Sequence, residues 1–225
     1  ADDFIPPTID LGVINMLTPA TTGCYTASEA LVVRIQNFAA GPIDFTVDNA
    51  TVTVNITGAI TQTLIINLTN NSLNAGNPLP SGGILSVPMG TINMTTTGTY
   101  VFNGYTTVVG DGAPVNDAMA QVSILVSGGT YVASSGGELC LGDNTNLVVN
   151  GYNNGGTIQW ESSPDNIVWP NIVGATTTPY NVTPTDTTFY RAMICGIHLS
   201  TVDTLFPELV VPAVTVGDTI CGVGT

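Results

Sequence analysis

Asp111, Asn116 and Asp117 fall within one short stretch of the chain, and Asp48 and Asn49 in another. Calcium takes six to eight hard oxygen ligands, and loops rich in Asp and Asn can supply them. Asp111 and Asp117 are the expected ligands. The same residue types are the ordinary formers of turns, so the metal reading needs a fold that draws these side chains together. No cofactor other than calcium is expected.

The four cysteines are Cys24, Cys140, Cys195 and Cys221. None forms a CxxC pair, and a single histidine leaves no zinc constellation. Trp160 lies between Cys140 and Cys195. That Cys…Trp…Cys order matches the immunoglobulin pattern, in which two sheets are pinned by a disulfide with a Trp packed on it. It predicts a Cys140–Cys195 bond, worth roughly 4 kcal/mol by the chain-entropy argument. Such a bond persists in an oxidising compartment, so an extracellular or cell-surface setting is expected. Cys221 repeats the sequence context of Cys140 and would find its partner beyond Thr225. Cys24 is left over, for Cys221, for a preceding unit or for another chain.

Hydrolytic catalysis needs a nucleophile, a base and an oxyanion donor within reach of one another. His198 is the only histidine, beside an expected hairpin turn, and there is no lysine. A non-enzyme is therefore expected. Gly151 to Gly156 lack the following helix and Lys of a phosphate loop. Asp2-Asp3 read as solvated charge.

These residues must be positioned by strands. Thr and Val favour pleated strands, whereas Asn, Gly and Pro favour the turns between them. Charged residues make up 8% of the chain, against roughly 25% in an ordinary soluble domain. Arg34 and Arg191 are the only cations, and the formal net charge is -14. Nucleic acid is excluded as a natural partner, because nothing here would neutralise phosphates. An anionic membrane surface is excluded for the same reason, and no apolar run is long enough to span a bilayer as a helix.

The fold class expected is all-β: two tandem Ig-like β-sandwich domains plus the start of a third unit. The first domain covers 1–128, the second 129–211, and 212–225 would be a linker and the first strand of a following unit. Val52, Val54 and Ile56 alternate with Thr51, Thr53 and Asn55, the pattern of a half-buried strand. Turn signals at 40–42, 76–78, 81–83 and 110–112 separate seven strand-like runs in the first domain. Gly98-Thr99-Tyr100 predicts a tyrosine corner, with Tyr100 opening a strand and its hydroxyl capping a nearby carbonyl. Ser127 to Gly137 reads as a Gly- and Ser-rich link joining the two domains end to end.

A family resemblance rests on particular stretches. Gly156-Thr157-Ile158-Gln159-Trp160-Glu161-Ser162-Ser163-Pro164-Asp165-Asn166, with Trp169, Val173-Gly174-Ala175-Thr176 and Pro184 to Ala192, resembles the Ig-like repeats of large secreted surface proteins of the Bacteroidetes. The first domain is similar to the CARDB-like adhesion modules that accompany those repeats, through Thr22-Gly23-Cys24-Tyr25, Glu29 to Phe38, Gly98-Thr99-Tyr100, Gly110-Asp111 and Asn116-Asp117. The resemblance implies export by the type IX secretion system and display on the bacterial cell surface, in adhesins that include those of gliding motility. It also implies O-glycosylation of Asp-Thr tripeptides, here at Thr187, Thr204 and Thr219. Tyr190 departs from antibody-like domains, standing five residues before Cys195 rather than two.

Three functions compete on this reading. The first is a structural and adhesive segment forming a stalk or filament for adhesion or gliding. Its partners would be neighbouring repeats, other copies of the chain, or surface glycans, with no membrane insertion. The second is a carbohydrate-binding accessory module of a secreted hydrolase, with Trp169, Tyr152 and Tyr180 as stacking platforms. The third is a self-assembling filament subunit that joins by strand addition, with Phe4 to Leu17 as donor.

Overall fold

Val52, Val54 and Ile56 point into a core and are fully buried, as their alternation predicts. Thr53, on the opposite face, is buried too. It stands in register between Ile65 and Tyr105 on the neighbouring strands, and those larger side chains flank it. The computed structural model describes residues 7–134, 138–152 and 156–208 of the chain. The expected start of a third unit at 212–225, together with Thr219 and Cys221, lies outside the described residues.

The chain is all-β and divides into two units. The first contains β1 (Leu11–Thr18), β2 (Glu29–Asn37), β3 (Ala50–Gly58), β4 (Gln62–Leu68), β5 (Ile84–Ile92), β6 (Gly98–Val108) and β7 (Val122–Val126). They form a three-stranded sheet in the order β1-β2-β5 and a four-stranded sheet in the order β4-β3-β6-β7, with every pairing antiparallel. This is the strand arrangement of an immunoglobulin-like sandwich. One core lies between the sheets. It includes Leu31, Val33 and Ile35 of β2, Val52, Val54 and Ile56 of β3, and Tyr100 and Phe102 of β6. Each large aliphatic or aromatic side chain buried there contributes roughly 1.5–3 kcal/mol.

Two local features fix this unit. Tyr100 is fully buried where β6 opens, and its hydroxyl donates to the Thr96 carbonyl at 3.0 Å, which is the expected tyrosine corner. Asn37, also fully buried, ends β2. Its amide nitrogen donates to the Gly41 and Leu79 carbonyls at 2.8 and 2.9 Å, while its oxygen accepts the Ala39 N–H at 2.8 Å. A buried amide with its donors and acceptor used costs little to bury and holds three chain segments together.

The second unit contains β8 (Gly128–Ser134), β9 (Glu138–Cys140), β10 (Thr145–Tyr152), β11 (Ile158–Ser163), β12 (Tyr180–Val182), β13 (Thr188–Ile194), β14 (His198–Leu199) and β15 (Asp203–Glu208). One sheet has the order β12-β10-β8 and the other β11-β13-β15-β9, with β14 hairpinned onto β13. The pairing of β15 with β9 is parallel. The core is smaller and centres on Trp160, with Leu147, Val149, Ile158, Tyr190, Ala192, Ile194 and Leu205.

The second unit begins close to the expected boundary, but the structure departs from the expected reading in two places. Residues 128–134, read from their glycines as part of a link, form β8 and pair with β10. Thr130, Tyr131 and Val132 are strand formers that the flanking Gly and Ser residues obscured. Thr22–Cys24, from the segment between β1 and β2, groups with the second unit rather than the first.

Candidate functional site

The expected Cys140–Cys195 bond is not formed. Cys195 is bonded to Cys24, at a Cα–Cα distance of 5.4 Å and a sequence separation of 171. Sheet geometry explains the correction. Cys140 ends β9, opposite Glu208. Thr188 opens β13 opposite Leu205, so Glu208 and Cys140 lie beyond the start of β13, whereas Cys195 follows its end. At roughly 3.3 Å per strand residue the two cysteines stand about 30 Å apart, far outside the reach of a disulfide. The core of this unit is built instead from apolar side chains that include Leu147 and Val149 of β10 and Ala192 of β13.

Cys195 adopts φ 54° as β13 turns toward β14. Thr157 serves both halves of the cystine: its carbonyl accepts the Cys195 N–H at 2.8 Å, and its N–H lies 3.3 Å from Cys24 Sγ. Cys140 is also oxidised, and no free thiol is present among the described residues.

The Cys140–Cys195 bond that Trp160 was expected to pack on does not form, but Trp160 is fully buried, as expected of a core tryptophan. It stands opposite Ala192 in the β11–β13 register, donates its indole N–H to the Thr177 carbonyl at 2.7 Å, and stacks on Tyr180 with ring centroids 6.3 Å apart. Tyr152 also packs against this core. Two of the three candidate stacking platforms for sugars are therefore drawn inward. The third, Trp169, carries the Arg191 guanidinium 4.2 Å over its ring, so that face is engaged.

Arg191 in turn bonds Glu161 through Nε at 2.6 Å. Beside this group, residues 164–174 form a loop with Ile167, Val168 and Val173 exposed. Its base is fixed by Asp165, whose carboxylate accepts the Ile167 and Val168 N–H groups and the Ser163 hydroxyl. Those bonds hold the carboxyl below its usual range, the Ile167 N–H foremost. Sequence reading singled out Trp169 here but not the apolar tip around it, because Ile167, Val168 and Val173 have no periodic pattern.

His198 sits at the β13–β14 hairpin, opposite Ile194, as its sequence setting suggested. Thr187 is exposed immediately before β13. Thr204 is half-buried within β15, opposite Phe189.

In the first unit, Asp111 and Asp117 flank a loop that returns onto β1. Asp111 Oδ2 accepts the Leu11 N–H at 3.1 Å, and its Oδ1 accepts the Ala113 N–H at 2.8 Å. The Asp117 carbonyl accepts the Val13 and Thr106 N–H groups at 3.0 and 3.1 Å. The loop lies so close to β1 that a Cβ on Gly12 would fall 2.2 Å from the Asn116 carbonyl oxygen, so only glycine fits there. The loop brings its acids to Asp10, which sequence reading did not single out. Burial, and then the charges of Asp111 and Asp10, push the Asp117 carboxyl above its usual value. Asp48 sits in a separate turn before β3, where its N–H bonds the Asp44 carbonyl.

Residues 127–205 match the model of a family described as a domain of unknown function, DUF8696. The match begins at Ser127, where the second unit begins. No curated protein matches the chain. Among solved structures, the native conformation of Escherichia coli alpha-2-macroglobulin is similar at 11% identity and a TM-score of 0.37, covering 92% of this chain and 16% of that one. The chain thus spans about a sixth of that protein's length. The FN1-FN3 domains of chicken CNTN1 align at 12% identity and a TM-score of 0.31, covering 91% of this chain and 67% of theirs. Murine CEACAM1b aligns at 11% identity and a TM-score of 0.30, covering 89% and 100%.

Proposed function

We propose that this chain is a non-catalytic structural and adhesive segment of a larger bacterial cell-surface protein, its tandem sandwiches serving as part of a stalk or filament in adhesion or gliding. The observation that carries this reading is the oxidised state of the cysteines in a pair of immunoglobulin-like sandwiches. Cystines persist outside the reducing cytosol, and sandwiches of this kind present loops at their ends while the sheets supply rigidity. No helix among the described residues is long and apolar enough to cross a membrane. Type IX export, cell-surface display and O-glycosylation at Thr187, Thr204 and Thr219 belong to the same reading and rest on the family resemblance. The exposed loop of residues 164–174 is the natural adhesive surface, because its apolar side chains are held out by a fixed base. Neighbouring repeats, other copies of the chain or surface glycans would be its partners.

The test has two arms. Removing residues 1–225 in frame from the parent protein in its native host should reduce attachment or gliding while leaving export intact. The purified chain should hydrolyse none of a panel of ester, glycoside and peptide substrates. Unchanged attachment and gliding, or turnover abolished by His198→Ala, would reverse the proposal.

A further inference from the structure

Among the described residues no three acidic, His or Cys side chains are grouped to hold a metal ion. The open chemistry of the first unit lies on the outer face of its four-stranded sheet. β3, β4, β6 and β7 contain no charged residue, in a chain of formal net charge -14. Soluble surfaces are ordinarily roughly a quarter to a third charged. This face is made instead of amides, hydroxyls and a few large apolar groups.

Strand register sets these side chains in rows. The central row is Ile65, Thr53 and Tyr105, direct partners across β4, β3 and β6. Ile65 is 56% exposed and Tyr105 37%, while Thr53 between them is buried. The row is an apolar platform about 10 Å wide, two strand spacings. A row of amides runs beside it, two residues along each strand, or roughly 7 Å away. There Asn55 and Asn103 are direct partners. Thr63 Oγ1 donates to Asn55 Oδ1 at 2.8 Å, and Gln121 Nε2 donates to Asn103 Oδ1 at 3.3 Å. On the other side of the platform, Thr51 Oγ1 donates to Asn67 Oδ1 at 3.1 Å. Each asparagine is fixed through its oxygen and keeps its NH2 group as a donor.

We propose that this face binds a neutral glycan, with the Tyr105 ring as the stacking platform and Asn55, Asn103 and Asn67 as hydrogen-bond partners of the sugar hydroxyls. A pyranose presents an apolar C–H face and a rim of uncharged hydroxyls. An aromatic ring takes the first, and the fixed amides on both flanks take the second. The face is open and built in rows, which suits an extended chain of sugars rather than a single enclosed one. An acidic polysaccharide finds no cation here, because Arg34 belongs to the other sheet of this unit. Tyr105 takes the part expected of Trp169, Tyr152 and Tyr180, whose rings are engaged within the second unit. The site deepens the adhesive reading by naming a ligand class, and rests on that reading for a glycan surface within reach.

The experiment is a depletion isotherm of residues 1–225 on insoluble cellulose, chitin, xylan and mannan, with an alginate gel as the acidic control. The expected result is saturable binding to at least one neutral polysaccharide and none to alginate. Tyr105→Ala should bind about tenfold more weakly. Asn103→Ala, which removes no apolar contact, should bind about fivefold more weakly. Tyr105→Phe keeps the ring and should stay within about twofold of the wild type. Melting temperatures matching the wild type show that the variants are folded. No saturable binding to any of the neutral polysaccharides would overturn the proposal, as would equal binding by the wild type, Tyr105→Ala and Asn103→Ala. Equal binding to alginate would overturn the choice of a neutral ligand. A wild-type dimer in sedimentation that Tyr105→Ala dissociates would assign the face to a second copy of the chain instead. The isotherm reads this face alone, whereas the deletion in the host reads adhesion, so the two readings fail separately.

Discussion

Arg191 Nε lies 2.6 Å from Glu161 Oε2, and the two residues are direct partners in the β11–β13 register. Their side chains are 20% and 6% exposed, so Glu161 is carried into the sandwich with its counter-ion beside it. Removing one member of a buried pair strands the other, which costs more than the pair itself contributes. Arg191→Met should therefore destabilise the second unit by about 3 kcal/mol, read by chemical denaturation with Trp fluorescence. The double variant with Glu161→Gln should recover part of that loss. A change below about 0.5 kcal/mol would place the pair among exposed ones of little consequence.

The Cys24–Cys195 bond closes a long loop. Chain-entropy scaling for a separation of 171 residues gives about 5 kcal/mol as an upper figure. Cys24→Ser should lower the stability of the second unit, to which Cys24 belongs, and leave the first unit folded. A non-reduced thermolysin digest should contain peptides bearing Cys24 joined to peptides bearing Cys195. Peptides joining Cys140 to Cys195 would contradict the pairing.

Asp117 gives a pH dependence of definite sign. Its carboxyl is pushed up by burial and by Asp111 and Asp10, so the folded state holds that proton more tightly than the unfolded chain. A raised carboxyl lowers stability as pH climbs from the unfolded value near about 4 through the folded one. Below both values the loss is absent. Asp117→Asn should melt above the wild type at pH 7, and the difference should vanish near pH 3. Scanning calorimetry across that range checks this. A variant that melts lower at pH 7 would show that the folded chain holds the carboxylate favourably.

Thr187 is open to an enzyme that adds sugar, whereas Thr204 is half-buried in β15. In material from the native host, Thr187 should carry O-linked glycan at higher occupancy than Thr204. Peptide mapping by mass spectrometry reads the ratio. Unmodified Thr187 would remove glycosylation from the proposed function.

Much of this fold was legible because strand and turn signals are local. Val52, Val54 and Ile56 announce a face, and Tyr100 announces the corner its hydroxyl closes. The cystine was not legible, because pairing depends on which strand end each cysteine occupies. Cys140 lies just ahead of β10 in sequence, yet it joins the edge of the opposite sheet through the parallel β9–β15 pairing. Asp10 was missed for a similar reason. Nearly the whole first unit separates it in sequence from Asp111 and Asp117, and only the return of the β6–β7 loop onto β1 brings them together.

The two arginines have a consequence for resistance to proteolysis. Arg34 lies in β2, opposite Asn15 on one side and Ser86 on the other. Arg191 lies in β13, which is flanked by β11 and β15. A protease that cuts after basic residues needs an extended, unpaired segment in its cleft, and neither central strand offers one while folded. Digestion by that class of enzyme must wait for a sheet to open, so the lifetime of the chain in a protease-rich setting follows its opening equilibrium rather than the number of cleavable bonds.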